Sequence, residues 1–221
     1  MPVTPESTTK QQREARRQEK VAALKKQQAR DKRNRRFGIA GGILGGLVVV
    51  GLVVTIIAIN AIPKVDPATI SIKGLKDFGT LEQNHVTGAV DYKADYDMDP
   101  PAGGNHAQVW LNCGIYTEPV PNENAVHDLE HGAVWITYDP TKISGDSLAA
   151  LQKETPSTYA VLSPYEDLPA PVVISAWGNQ VQLTGPDDAR LKTFISKFWK
   201  ATTAPEPGAP CTGGLDGPGK I

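Results

Sequence analysis

The sequence predicts an α+β protein: a single N-terminal transmembrane helix followed by one mixed, mostly antiparallel extracytoplasmic domain. Three observations carry this reading. From Phe37 to Ala61 the chain runs 25 residues without a charged side chain. At about 1.5 Å of rise per residue, that suffices to cross a hydrocarbon core of roughly 30 Å as a helix. The flanks are oppositely charged: residues 1–36 hold 12 Lys/Arg against 4 Asp/Glu, and residues 64–221 hold 11 against 20. Beyond residue 74, short β-type segments alternate with helix-period segments over a length sufficient for one core.

In chain order, residues 1–36 form a basic leader. Between residues 10 and 36 its only sizeable apolar residues are Val21 and Leu24. It has no face to bury, and suits an orientation signal or a ligand for anionic lipid headgroups. Having no aromatic residue for stacking, it does not suit nucleic acid. Residues 37–62 form the membrane helix. Lys/Arg are retained on the cytoplasmic side, so the N-terminus lies inside and the remainder outside. The run is longer than the apolar part of a cleaved signal, although Ala58–Ala61 offers a weak cleavage site. Gly41/Gly45 and Gly42/Gly46 form two overlapping GxxxG pairs, which let a partner helix, from a second copy or from another membrane protein, approach closely.

Residues 63–73 read as a stalk or first strand, and residues 74–221 as the outer domain. All four Trp and all six Tyr lie in the outer part. Strands are predicted over His106–Tyr116, Ala133–Tyr138, Tyr159–Leu162, Val172–Trp177 and Gln180–Leu183, the last two joined by a Gly178-Asn179 hairpin turn. Helices are predicted over Glu123–His131 with Asn122 as cap and Gly132 as stop, and over Ser147–Glu154 with Asp146 as cap. A third runs over Asp187–Thr202, where Leu191, Phe194, Ile195, Phe198 and Trp199 keep helical spacing. The Pro/Gly-rich stretch from Ala204 onward should be irregular.

Cys113 and Cys211 are the only cysteines. In an oxidising compartment two cysteines of one domain most simply pair. A pair of metal thiolates and a redox couple are the alternatives, although no CxxC is present.

The four histidines are His85, His106, His127 and His131. His127 and His131 stand at i and i+4, on one face of a predicted helix and close enough to share an ion. His106 is the third candidate ligand, His85 or Met98 the fourth, while Glu130 and Asp128 could orient the rings or bind directly. Three His with Met suit copper, and three His with a carboxylate suit zinc. HDLEH also matches HxxEH, which would make Glu130 the general base of a zinc hydrolase. Three fixed letters carry that match, and no spacing selects a third ligand among Glu154, Glu166 and Glu206. With no phosphate loop, no GxSxG serine and no free thiol expected, no catalytic residue is assigned.

The segments PPAGGNH (Pro100–His106), NCGIY (Asn112–Tyr116), ENAVHDLEHGAVWITY (Glu123–Tyr138), LPAPVVISAWG (Leu168–Gly178) and PEPGAPCTGG (Pro205–Gly214) resemble the signature blocks of domain-of-unknown-function family 3105. HVTGAVDY (His85–Tyr92) is similar to its opening block. The resemblance spans about residues 72–214. It implies a bacterial, mainly actinobacterial, envelope protein with one N-terminal membrane helix, and it implies no activity. Asp128 departs from the small residue expected there. The expectation is a cell-membrane protein whose outer domain binds copper or zinc through its histidines. The rival is an accessory subunit of a larger membrane assembly, such as a respiratory one, without ligand chemistry.

Overall fold

The computed structural model describes residues 5–61 and 66–221. Residues 1–4 of the leader, the last residue of the predicted membrane span and residues 63–65 of the stalk lie outside these. The chain divides into two compact units at residues 64/65.

The first unit is one helix, α1 (Pro5–Ala61). Near the N-terminus it is long and apolar enough to span a membrane, the only such helix among the described residues. Val21 and Leu24 of its basic part are exposed, as a segment without an apolar face requires.

The second unit is an α+β domain built on a mixed sheet. It opens not as a strand but as a 3-10 turn (Pro67–Thr69), with Asp66 accepting from the Ala68 N–H. Eight strands follow: β1 (Lys76–Asp77), β2 (His85–Val86), β3 (His106–Ala107), β4 (Gly114–Ile115), β5 (Val134–Tyr138), β6 (Ala160–Pro164), β7 (Val172–Ala176) and β8 (Asn179–Leu183). Six of them form one sheet in the order β1-β8-β7-β5-β6-β4. The β1–β8, β8–β7 and β7–β5 pairs are antiparallel, whereas β5–β6 and β6–β4 are parallel. Parallel neighbours need a crossover, and α4 (Gly145–Glu154) supplies it between β5 and β6.

Every residue of β5, β6 and β7 is buried, because the sheet is covered on both faces. On one face Val134, Ile136, Leu162 and Ile174 pack with Leu151 of α4 and with Leu191, Phe194 and Phe198 of α5 (Ala189–Phe198). On the other, Trp135 and Val161 pack with Ala125 and Leu129 of α3 (Asn122–Glu130). This explains why AVWITY lacks the apolar/polar alternation of a half-exposed strand.

Five local expectations are corrected. The run His106–Tyr116 is not one strand, since its middle turns to the C-terminal segment for partners. Asn112 N–H donates to Leu215 O at 2.7 Å and Cys113 N–H to Cys211 O at 2.8 Å. The β7–β8 turn is Trp177-Gly178 rather than Gly178-Asn179, because Ala176 pairs with Asn179 and Gly178 takes the positive φ of 69° that the turn needs. Helix α4 is capped by Ser144, whose N–H donates to Ser147 Oγ, rather than by Asp146. Pro121, not Asn122, caps α3, and α5 ends at Phe198, four residues early, with its Asp188 cap accepting from Arg190 N–H.

Candidate metal centre

A two-stranded ribbon and one helix build the site. β2 and β3 pair in parallel with His85 opposite His106, so both imidazoles project from one place. Beneath them Tyr92 of the short helix α2 (Tyr92–Tyr96), Met98, Ala102 and Val126 form a small buried cluster, and Val126 belongs to α3. That packing fixes α3 against the ribbon and delivers His127 and Glu130, which lie three residues apart on one helical face. Ligand atoms of His85, His106, His127 and Glu130 all fall within 4.8 Å of one another. The three imidazole centroids stand 4.9 Å apart in every pairing, two edge-on and His85 stacked on His127.

The protons are placed by the backbone. His106 Nδ1–H donates to Gly104 O at 2.8 Å, and His127 Nδ1–H donates to Ala107 O at 2.7 Å. A ring nitrogen facing a carbonyl must be the donor, which leaves Nε2 of both rings for the shared space. There His106 Nε2 lies 3.0 Å from Glu130 Oε2, and His85 Nε2 lies 3.8 Å from the same oxygen. A cation entering here would replace the proton between His106 and Glu130. Burial pushes His127 down to about 4, against the opposing pull of the Ala107 carbonyl. Burial alone would raise the Glu130 carboxyl. The His106 hydrogen bond and the neighbouring imidazoles outweigh it and hold the group below its usual range. At neutral pH the site therefore presents an uncharged His127 and an ionised Glu130. Only His85, with 41% of its side chain exposed, meets solvent.

The Gly104 carbonyl has little freedom. Its φ is +101°, and a Cβ there would lie 2.8 Å from the Tyr96 ring. Tyr96 is itself engaged, accepting from Asn105 N–H at 3.1 Å and donating to Glu82 at 3.1 Å. Gly104→Ala should therefore swing this carbonyl off His106 Nδ1. Because outer-shell partners are worth about 10–100-fold in metal affinity, a loss of that size is expected in a zinc competition titration. An unchanged affinity would mean the carbonyl does not orient the ring.

Residues 86–213, more than half of the chain, match the family described as "Protein of unknown function (DUF3105)". The chain belongs to this family. Neither a curated protein nor a solved structure matches it. The DUF3105 segment carries His106, His127 and Glu130 together with both cysteines, and it begins one residue after His85.

Other predicted site residues of this DUF3105 chain are placed elsewhere. His131 is buried outside the cluster: its Nδ1–H donates to Pro210 O at 2.6 Å and its Nε2 lies 3.7 Å from Glu206. It touches the site only edge-on, its ring 4.5 Å from that of His127. The HxxEH pair is thus not assembled, since one of its histidines faces the tail and its glutamate faces His106. Met98 is buried, and its sulfur accepts the Ala102 N–H at 3.3 Å. Asp128 points toward the disulfide between Cys113 and Cys211. Its carboxyl is fully buried with neither oxygen hydrogen-bonded, and burial drives it well above the usual range against the pull of Lys220. Gly41, Gly42, Gly45 and Gly46 of α1 have open space where a Cβ would stand. Sequence reasoning did not anticipate the walls of the site. Trp177 stands edge-on to His106 at 5.7 Å, and Trp110 lies 5.9 Å from His127.

The Asp128 carboxyl has a signed consequence. A group held neutral in the fold loses its proton only in the unfolded chain once pH exceeds about 3.8, so the native state falls in relative stability as pH rises. Asp128→Asn removes this linkage. The variant should gain on the wild type by up to about 1.4 kcal/mol per pH unit above pH 4 in urea titrations of metal-free protein. A difference that stays constant from pH 4 to 7 would contradict a neutral buried carboxyl.

Proposed function

We propose that this chain is a single-pass membrane protein whose outer domain binds one transition-metal ion through His85, His106, His127 and Glu130. The supporting observation is the convergence of three imidazoles and one carboxylate, two of the rings already oriented by backbone carbonyls. Glu130 lies in the set with three imidazoles, which favours zinc over copper. Four protein groups also fill a tetrahedron. A catalytic zinc keeps a position open, so binding or delivery fits better than turnover. His85, exposed and carried on a two-residue strand, is the ligand whose departure would release the ion.

The test is elemental analysis of the full chain purified in detergent from zinc- and copper-supplemented cells. One equivalent of zinc is expected, retained by wild type and lost from His106→Ala. His85→Ala should keep part of the affinity and release zinc faster in a chelator chase. Preparations that neither retain nor take up metal at micromolar concentration would overturn the reading. The charge polarity of the sequence favours an outward C-terminal domain held at the cell membrane, beside anionic lipid at the basic leader. Protease shaving of intact cells should therefore remove the C-terminal domain. Protection of that domain would reverse the topology.

A second reading has one observation in its favour: the glycine face of α1 is open to close approach by another helix. It would make the chain an accessory subunit of a membrane assembly. Comigration with a larger complex on native gels, abolished by Gly41→Leu with Gly45→Leu, would support it, and a lone monomer would not.

A further inference from the structure

Outside the histidine cluster, one other group of ligand-type side chains converges among the described residues: Cys113, Cys211 and Asp128, whose ligand atoms also lie within 4.8 Å of one another. The two sulfurs are joined, so the group holds no ion as it stands. Asp128 is what makes it more than a structural bridge. A buried carboxyl normally finds hydrogen-bond donors, because leaving its oxygens bare is costly. Here both oxygens lack a partner, and their near neighbours include the sulfurs.

The surroundings would keep the thiols together after the bridge opens. Cys113 N–H donates to Cys211 O at 2.8 Å. Asn112 ties the same stretch down on the far side, its Nδ2–H donating to Gly214 O at 3.2 Å and its Oδ1 accepting Gly214 N–H at 2.8 Å. Leu111 and Leu215 form a parallel bridge beyond. None of these contacts uses a sulfur atom. Cys113 is also only partly buried, so a small reductant can reach the pair.

We propose that Cys113, Cys211 and Asp128 form a second, redox-gated metal site that takes zinc or a similar divalent cation once a dithiol has reduced the bridge. In the first step a thiolate of the dithiol attacks Cys113 Sγ, and the pair of electrons in the Cys113–Cys211 bond leaves with Cys211. The second thiolate of the reductant then displaces Cys113, so the reductant ends as a disulfide and both cysteines as thiols. Zinc binding next releases the two thiol protons and the Asp128 proton to solvent. Two thiolates and one carboxylate remain as ligands, with water in the fourth position. The site is separate from the histidine cluster, and its failure would leave that reading untouched.

Cobalt(II) is the probe, because thiolate coordination gives it a charge-transfer absorption that imidazole and carboxylate do not. The full chain in detergent, carrying His106→Ala to disable the histidine site, is reduced with dithiothreitol and desalted under argon. Reduced protein should bind one equivalent of cobalt with the charge-transfer band, and oxidised protein should show no such band. Adding Asp128→Asn should weaken cobalt binding to the reduced protein at least tenfold. No thiolate band after reduction overturns the proposal. So does a band whose affinity ignores Asp128→Asn, the behaviour of two thiols on a released tail.

Discussion

Replacing His106 by Ala is expected to weaken zinc binding by about two orders of magnitude or more. Structural zinc sites are worth about 10–16 kcal/mol in all, so one ligand of four carries roughly 3 kcal/mol, and each 1.4 kcal/mol is tenfold. His106 should lie at the upper end, for it is fully buried, oriented by Gly104 O and bonded to Glu130. Its loss also strips Glu130 of the partner that keeps its carboxyl ionised, so a second ligand is weakened with the first. Competition against a chromophoric chelator measures the effect. A change within threefold would remove His106 from the ligand set. Glu130→Gln, which keeps the shape and loses the charge, should show a similar defect, whereas His131→Gln should cost far less because His131 bonds to Pro210 O instead.

Substituting Cys113→Ser together with Cys211→Ser is expected to destabilise the C-terminal domain by about 4–5 kcal/mol. The bridge closes a loop across 98 residues of sequence, and the chain-entropy relation gives that figure for such a length. For a domain of this size the midpoint of thermal unfolding should fall by roughly 10–20 °C, followed by circular dichroism of metal-free protein. A drop of less than about 3 °C would show that the hydrogen bonds of the tail suffice alone. The substitution should also reach the metal centre without touching a ligand. The bridged segment carries Pro210, which holds His131, while Glu206 N–H donates to the Glu130 carbonyl at 3.0 Å. Slackening it lets the end of α3 fray, and zinc release should quicken.

Much of this architecture could be read from residue patterns. The strands at Val134–Tyr138 and Val172–Ala176 and the apolar stripe of α5 each follow from composition and period, because local burial dictates them, and the long helix follows from its uncharged run. Where partners lay far away in sequence, the reading slipped. His106–Tyr116 has the composition of one strand, yet the amides of Asn112 and Cys113 are claimed by Leu215 and Cys211, about a hundred positions later, which no local window contains. The site followed the same division. All four histidines were visible as candidates, and three converge with Glu130. Helical spacing alone favoured His131, because i and i+4 share a face, but it says nothing of the tail crossing that face and capturing the ring. Glu130, one residue earlier, reads from sequence as a ring-orienting group, a direct ligand or a hydrolase base. Its selection depends on His106 arriving from a separate ribbon. The walls contributed by Trp110 and Trp177 left no sequence signal beyond their being aromatic.

Helix α3 borrows its ending from the far tail: Glu206 and Gly208 donate to the carbonyls of Glu130 and His131, and Lys200 donates to that of Gly132. During synthesis these amides leave the ribosome about seventy residues after the helix whose stub they cover. Until then the carbonyls have only water, and the glutamate of the cluster sits on an unfinished turn. Closure of the His/Glu cluster is therefore a late event in the life of the nascent chain. A nascent chain stalled near residue 200 would carry His85, His106, His127 and Glu130 and still lack the closed cluster.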